Sequence, residues 1–171
     1  ESGALQVSSQ PCDVQDVIGS ALNALGTRLE GHPLNIEVDP GLPLVPLDYV
    51  LTNQVLINLL DNAAKYSPEN GPVNIHAWRN GENLQIDVLD RGPGIPEEDL
   101  QRIFEKFYRV KRFENVVGTG LGLSICKGIV EVQGGKIWAE NRPDGGARIA
   151  FTVPLKPARF ARQEPESEHL R

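Results

Sequence analysis

The chain has 171 residues, a net charge of −6 and a hydrophobic fraction of 40%. That is enough for one sizeable domain with its own core, and the acidic balance argues against bulk electrostatic binding to nucleic acid. No apolar run approaches the roughly 18 residues of a membrane span and nothing resembles a signal peptide, so no direct membrane contact is expected.

Residues 1–12 are polar and without periodic pattern, and Pro11 closes them. Asp13 caps a helix expected to run to about Glu30, with Val14, Val17, Ile18, Ala21, Leu22 and Leu25 as its apolar face and Gly31 as its stop. Leu34, Ile36 and Val38 alternate with polar residues as a first strand, and Asp39-Pro40-Gly41-Leu42-Pro43 is a turn. Leu47 to Tyr66 then reads as one long helix, capped by Asp48 and ended by Ser67-Pro68. At roughly 100° per residue, Leu56, Leu59, Leu60 and Ala63 share its core face. Asn58, Asn62, Lys65 and Tyr66 share another face, which turns apolar one turn upstream at Leu51 and Val55. A polar stripe continuing an apolar one is what a helix lining a cleft presents. The alternative is a solvated face with Lys65 answering the helix dipole.

Beyond the loop Pro68-Glu69-Asn70-Gly71, Val73, Ile75 and Ala77 form a strand. Asn80-Gly81-Glu82-Asn83 turns the chain, and Leu84, Ile86 and Val88 return it. Asp90 ends that strand, and Arg91-Gly92-Pro93-Gly94-Ile95-Pro96 imposes an unusual backbone path. Glu97 to Phe107 reads as one or two short helices. Tyr108 to Gly118 lacks periodicity and is expected to be a mobile loop. Gly118-Thr119-Gly120-Leu121-Gly122-Leu123 opens a helix through about Gln133, ended by Gly134-Gly135. Lys136 to Glu140 and Ala147 to Val153 are strands around Asn141-Arg142-Pro143-Asp144-Gly145-Gly146. After Pro157 the chain is charged and expected to be disordered. Cys12 and Cys126 show neither metal nor redox spacing, so a reducing cytoplasm is the default. The start lacks an initiator Met, and the chain contains none, so it reads as a piece of something longer.

The chemistry of the stripe is specific. Asn oxygens are hard neutral ligands suited to Mg²⁺, Lys65 is a point charge for a phosphate, and Tyr66 can present a ring to a ribose or base. Asp90, at a strand end, can accept a hydrogen bond from an exocyclic amine, and the neighbouring glycines let a flat ring approach. Taken alone, that segment reads equally well as an Asx-capped turn. The Gly118–Leu123 run can offer free helix N-terminal amides to phosphate. It is neither a Walker loop nor a dinucleotide fingerprint, because the glycine spacing and the following residues differ. Phe104 and Phe107 read as core residues that can anchor the loop's root. Thr152 reads as a strand threonine and is kept as a candidate nucleotide contact. His32, His76 and His169 show no ligand spacing.

Together these motifs resemble the catalytic ATP-binding domain of sensor histidine kinases, within the larger family that includes gyrase and MutL. Asn58, Asn62, Lys65 and Tyr66 match the N box; Asp90, Gly92 and Gly94 the G1 box; Phe104 and Phe107 the F box; Gly118, Gly120 and Gly122 the G2 box. Order and spacing agree from about residue 13 to 156, which sets the expected domain between a 1–12 extension and a 157–171 tail. Val17 to Leu22, Val55 to Leu60 and Glu140 to Pro143 look more narrowly like the potassium- and turgor-sensing kinases of the Kdp system. The resemblance implies an α/β two-layer sandwich: a mixed, mostly antiparallel sheet covered by three helices. It implies that Asp90 binds the adenine amine, with Gly94 and Ile95 bordering the base. Asn62 and Asn58 would bind Mg²⁺, Lys65 and the Gly118–Leu123 amides would hold phosphates, and residues 105–118 would be an ATP lid. Its implied partners are a histidine-bearing dimerisation domain, absent from this chain, and a response regulator. Its implied place is the cytoplasmic part of a kinase anchored in the inner membrane.

Two other functions compete with phosphotransfer. The hydrolysing relatives resemble one another in carrying a Glu four residues before the metal-binding Asn. Here that position is Asn58, which cannot act as a general base. A degenerate nucleotide-binding module is the third reading, and the intact Asp90, Asn62 and glycines argue against it.

Overall fold

In the computed structural model, residues 5–156 are described, apart from 114, 115, 117 and 119. The disorder expected for 157–171, part of the loop expected to be mobile, and Thr119 therefore lie outside the described residues. Asp13 caps the first helix, α1 (Val14–Leu25), by accepting from the Gln15 N–H at 2.9 Å. The expected end near Glu30 is wrong. Gly26, at φ +51°, breaks the α-helix, and Gly26–Leu29 continues as a single 3₁₀ turn.

Two short strands have no counterpart in the sequence pattern. β1 (Gln10–Cys12) pairs antiparallel with Val45–Leu47, which is β3 because Leu34–Val38 forms β2 as expected. In that ribbon Pro11 stands opposite Pro46. The long helix, α2, spans Tyr49–Tyr66. Its cap residue ties three segments together. The Asp48 carboxylate accepts from the N–H groups of Leu51 at 3.0 Å and Ser8 at 2.9 Å, and its own N–H donates to Gln133 Oε1 at 2.9 Å.

The main sheet has the order β2-β4-β5-β7-β6, completed by β4 (Val73–Asn80), β5 (Asn83–Leu89), β6 (Ile137–Asn141) and β7 (Ala147–Pro154). β2 runs parallel to β4 and the other pairs are antiparallel. The third helix, α3, spans Gly122–Val132, and Glu97–Asp99, Arg102–Phe104 and Lys111–Phe113 are 3₁₀ turns. Register puts Ile75, Val88, Ile149 and Ala139 in one row and Ala77, Ile86, Phe151 and Ile137 in the next. This face packs under the three α-helices in one core. Leu56, Leu59 and Leu60 of α2 are at most 1% exposed, each burial stabilising the fold by about 1.5–3 kcal/mol. The opposite face carries His76, Trp78, Gln85, Asp87, Thr152 and Trp138. There Gln85 donates to Asp87 Oδ1 at 2.8 Å, which satisfies two buried polar side chains. The expected two-layer sandwich of mixed sheet and three helices is thus the fold observed among the described residues.

Candidate functional site

A cavity of about 330 Å³ opens between α2, the start of α3, the ends of β5 and β7, and the segment 108–113. Asn58, Asn62, Lys65 and Tyr66 all border it, so the stripe on α2 is a cleft wall. One turn upstream the same face is covered by α3. Val55 is buried, and the Cys126 thiol approaches its carbonyl at 3.8 Å. Burial pushes that thiol up to about 12, so it stays neutral. Asn58 Nδ2 lies 3.5 Å from the Gly122 carbonyl. Asn62 is half-buried and its side-chain amide has no partner among the described residues.

Asp61, which helix geometry sets about 60° to the other side of Asn58 from Asn62, also borders the cavity. Its Oδ2 accepts from Lys65 Nζ at 2.9 Å, and Oδ1 lies 3.8 Å from Arg28 Nη1. The i,i+4 spacing draws the Lys65 ammonium onto Asp61 instead of leaving it extended.

Asp90 Oδ1 accepts from the N–H groups of Gly92 at 2.8 Å and Ala147 at 3.1 Å. Oδ2 has no partner among the described residues and belongs to a residue bordering the cavity. Burial raises the Asp90 pKa above the ordinary carboxylate range, against the pull of those two amides and Arg142. Gly94 and Ile95 border the cavity as expected, Gly94 with φ +78°. Gly118, Gly120, Gly122 and Leu123 border it too, which brings a glycine-rich helix start opposite Asn58 and Asn62.

Four expected contacts are not part of the wall. Gly92 packs behind it: a Cβ there would stand 2.6 Å from the Tyr66 carbonyl. The Leu121 carbonyl heads α3, accepting from Ser124 Oγ at 2.9 Å and the Ile125 N–H at 3.0 Å. Phe107 is not core, as its apolar side chain suggests. With φ +62° it points outward and is 71% exposed, although its N–H donates to the Gly120 carbonyl at 3.0 Å and so closes the loop's root. Thr152 lies on the sheet face away from the helices, and its hydroxyl accepts from the Lys136 N–H at 3.1 Å. It cannot reach the cavity.

The structure also adds residues to the wall. Val110 joins Ile103 and Phe104 in a second small core, with Tyr108 and Phe113 packed on it. The Phe113 ring lies 5.1 Å from the Tyr66 ring, tilted by 55°. The segment is therefore anchored at this end. The signal was the i,i+3 spacing of Val110 and Phe113, too short to register as a period.

The histidine kinase-, DNA gyrase B- and HSP90-like ATPase family matches residues 48–157, and the chain belongs to it. It is 44% identical to sensor protein KdpD of Escherichia coli (strain K12) over 158 residues, 92% of this chain and 18% of KdpD. It is 41% identical to adaptive-response sensory kinase SasA of Nostoc sp. (strain PCC 7120 / SAG 25.82 / UTEX 2576) over 144 residues, 84% of this chain and 35% of SasA. The chain thus spans a minor part of either relative. Full-length ShkA in complex with AMPPNP superposes with a TM-score of 0.78 at 28% identity, over 91% of this chain and 33% of ShkA. Histidine kinase ThkA in complex with response regulator protein TrrA superposes with 0.76 at 29% identity, over 90% of this chain and 43% of that one.

Proposed function

We propose that this chain is the ATP-binding catalytic domain, spanning about residues 13–156, of a two-component sensor histidine kinase. It delivers the γ-phosphate of ATP to a histidine on a separate dimerisation domain, from which a response regulator receives it. The carrying observation is convergence: the Asn58, Asn62, Lys65 and Tyr66 stripe, Asp90, and Gly118, Gly120 and Gly122 all border one cavity. The family match, the AMPPNP-bound neighbour and the regulator-bound neighbour support the reading. Likeness to sensor protein KdpD supports a kinase of the potassium-sensing Kdp type; in this reading the domain lies on the cytoplasmic side of an anchored protein. No helix among the described residues is long and apolar enough to cross a membrane.

The donor set fits a nucleotide with Mg²⁺. Neutral Asn oxygens leave the phosphates to supply the charge, and Asn62 has no competing partner among the described residues. Bound MgATP supplies the transferable phosphoryl group. Asn62, helped by Asn58, would hold the metal, and the Lys65 ammonium, kept on Asp61 by one N–H, would offer the others to a phosphate. The amides at the start of α3 face the remaining oxygens, and Asp90 Oδ2 accepts from the adenine amine. The chain's own contribution is positioning and charge neutralisation. Mixing the chain with a histidine-bearing dimerisation domain and γ-labelled ATP tests this. Acid-labile phosphate should accumulate on that domain; MgATP binding without transfer would leave the chain a binding module.

Asp90→Asn should weaken ATP binding by about 1.5–3 kcal/mol, the worth of a hydrogen bond to a charged group. Because the Asp90 pKa is raised, binding of adenosine should fall on acidification at a higher pH than an ordinary carboxylate dictates. The sign for folding is opposite. The raised value favours the protonated form in the folded chain, so this group's contribution to stability is full below the ordinary carboxylate pKa. It is lost as pH rises toward the raised value. Calorimetric titration with adenosine across pH reads the binding limb, which should vanish in Asp90→Asn. Unchanged affinity in the variant would remove Asp90 from the base site.

A further inference from the structure

The turn from Asn141 to Gly146 does not border the cavity, yet it is strapped across the segment that does. Asn141 Oδ1 accepts from the Ile95 N–H at 2.7 Å, and its Nδ2 donates to the Ile95 carbonyl at 2.6 Å. One side-chain amide thus pairs with both backbone polar groups of Ile95, as a neighbouring strand would. Gly94 is built around this contact. Its φ is +78°, and a Cβ on it would stand 2.8 Å from Asn141 Oδ1. Next along the turn, Arg142 Nη1 donates to the Asp90 carbonyl at 2.9 Å. Asp144 pairs with Arg91 at 2.8 Å, and a Cβ on Gly146 would stand 2.0 Å from the Asp90 carbonyl. The Ile95 backbone has no other hydrogen bond among the described residues. Without Asn141, the Pro93-to-Pro96 segment would swing on Gly94, whose backbone is the least restricted.

We propose that Asn141 is a positioning residue for base recognition. It fixes the Ile95 peptide and so sets the spacing between the Gly94–Ile95 wall and the Asp90 carboxylate, which decides which nucleobase the cavity takes. The proposal rests on the reading of Asp90 as the adenine acceptor. A rigid polar site rejects a base whose group at the acceptor is a carbonyl, because two acceptors then face each other. A loosened wall lets Asp90 and the base adjust, and discrimination falls with affinity. The phosphate side of the cavity is built from α2 and the start of α3, and Asn141 touches neither.

The test compares the chain with Asn141→Ala by calorimetric titration of MgATP, MgGTP and magnesium tripolyphosphate. MgATP affinity should drop about tenfold, the preference for ATP over GTP should shrink with it, and tripolyphosphate affinity should hold within about twofold. An unchanged ATP preference overturns the proposal. So does an equal loss of ATP and tripolyphosphate binding, which is what a merely structural role produces. If Asn141→Ala does not fold, Asn141→Asp keeps the acceptor for the Ile95 N–H, loses the donor to its carbonyl, and is read in the same way. Failure of both to fold makes Asn141 a folding residue and also overturns the proposal. A wild-type chain with no preference for ATP over GTP would instead remove the adenine reading, and that outcome is seen before any substitution is made.

Discussion

Asn62→Ala abolishes the Mg²⁺-dependent part of ATP binding and leaves the fold intact; this is the first expected result. The side chain stands on the cleft face of α2 while Leu56, Leu59, Leu60 and Ala63 hold the helix to the sheet. Removing it opens no cavity in the core, so stability should change by less than about 0.5 kcal/mol. It does remove a neutral oxygen that no protein group among the described residues engages. Binding should be measured by titration with ATP in the presence and absence of Mg²⁺, alongside thermal unfolding. In the wild type Mg²⁺ should strengthen binding, and in the variant the two curves should coincide. Normal MgATP binding, or loss of the fold, would make Asn62 a structural residue.

The second expected result is that the chain alone neither turns over ATP nor labels itself. Asn58 stands where hydrolysis would need a carboxylate, four residues before Asn62. Asp61 is the only carboxylate on the α2 part of the cavity wall among the described residues, and both of its oxygens face cations, Lys65 at 2.9 Å and Arg28 at 3.8 Å. A base must have an oxygen free within hydrogen-bond reach of the attacking water. Phosphate release from the purified chain should stay near background, and label from γ-labelled ATP should not remain on it. Robust turnover that disappears in Asp61→Asn would replace the kinase reading with a hydrolase.

Where several local signals agreed, the fold was legible in the sequence. α2 combined a 3.6-residue apolar period, an Asp48 cap and a Ser67-Pro68 stop, and it forms at Tyr49–Tyr66. The β4–β5 hairpin was marked by alternation and by Gly81, which takes φ +60°. β1 and β3 were not legible because each has three residues with a proline at its centre. α1 ended early because Gly26, five residues before the expected stop at Gly31, takes φ +51° and leaves the α-helix there. Within the site, angle alone put Asn58, Asn62, Lys65 and Tyr66 on one face of α2, the face that borders the cavity, and Asp61 borders it as well. Its direction depends on Lys65 and Arg28, the latter from a different segment. Phe107 and Thr152 missed for a related reason. A left-handed backbone turned one outward, and a sheet face carried the other away. Asn141 was visible as a turn residue within the Kdp-like segment but not as part of the site, because its partner Ile95 is distant along the chain.

The node at Asp48 has a thermodynamic consequence. Its backbone and carboxylate join Ser8, Leu51 and Gln133, which belong to the stretch before β1, the first turn of α2 and the end of α3. Opening any one of these segments takes a hydrogen bond from the buried Asp48 that the other two cannot replace. They cannot fray one at a time at little cost, as isolated termini do. The three ends are thus coupled through one residue, and the helix that carries the cleft wall is held in part by residues 40 positions upstream and 85 downstream of its cap.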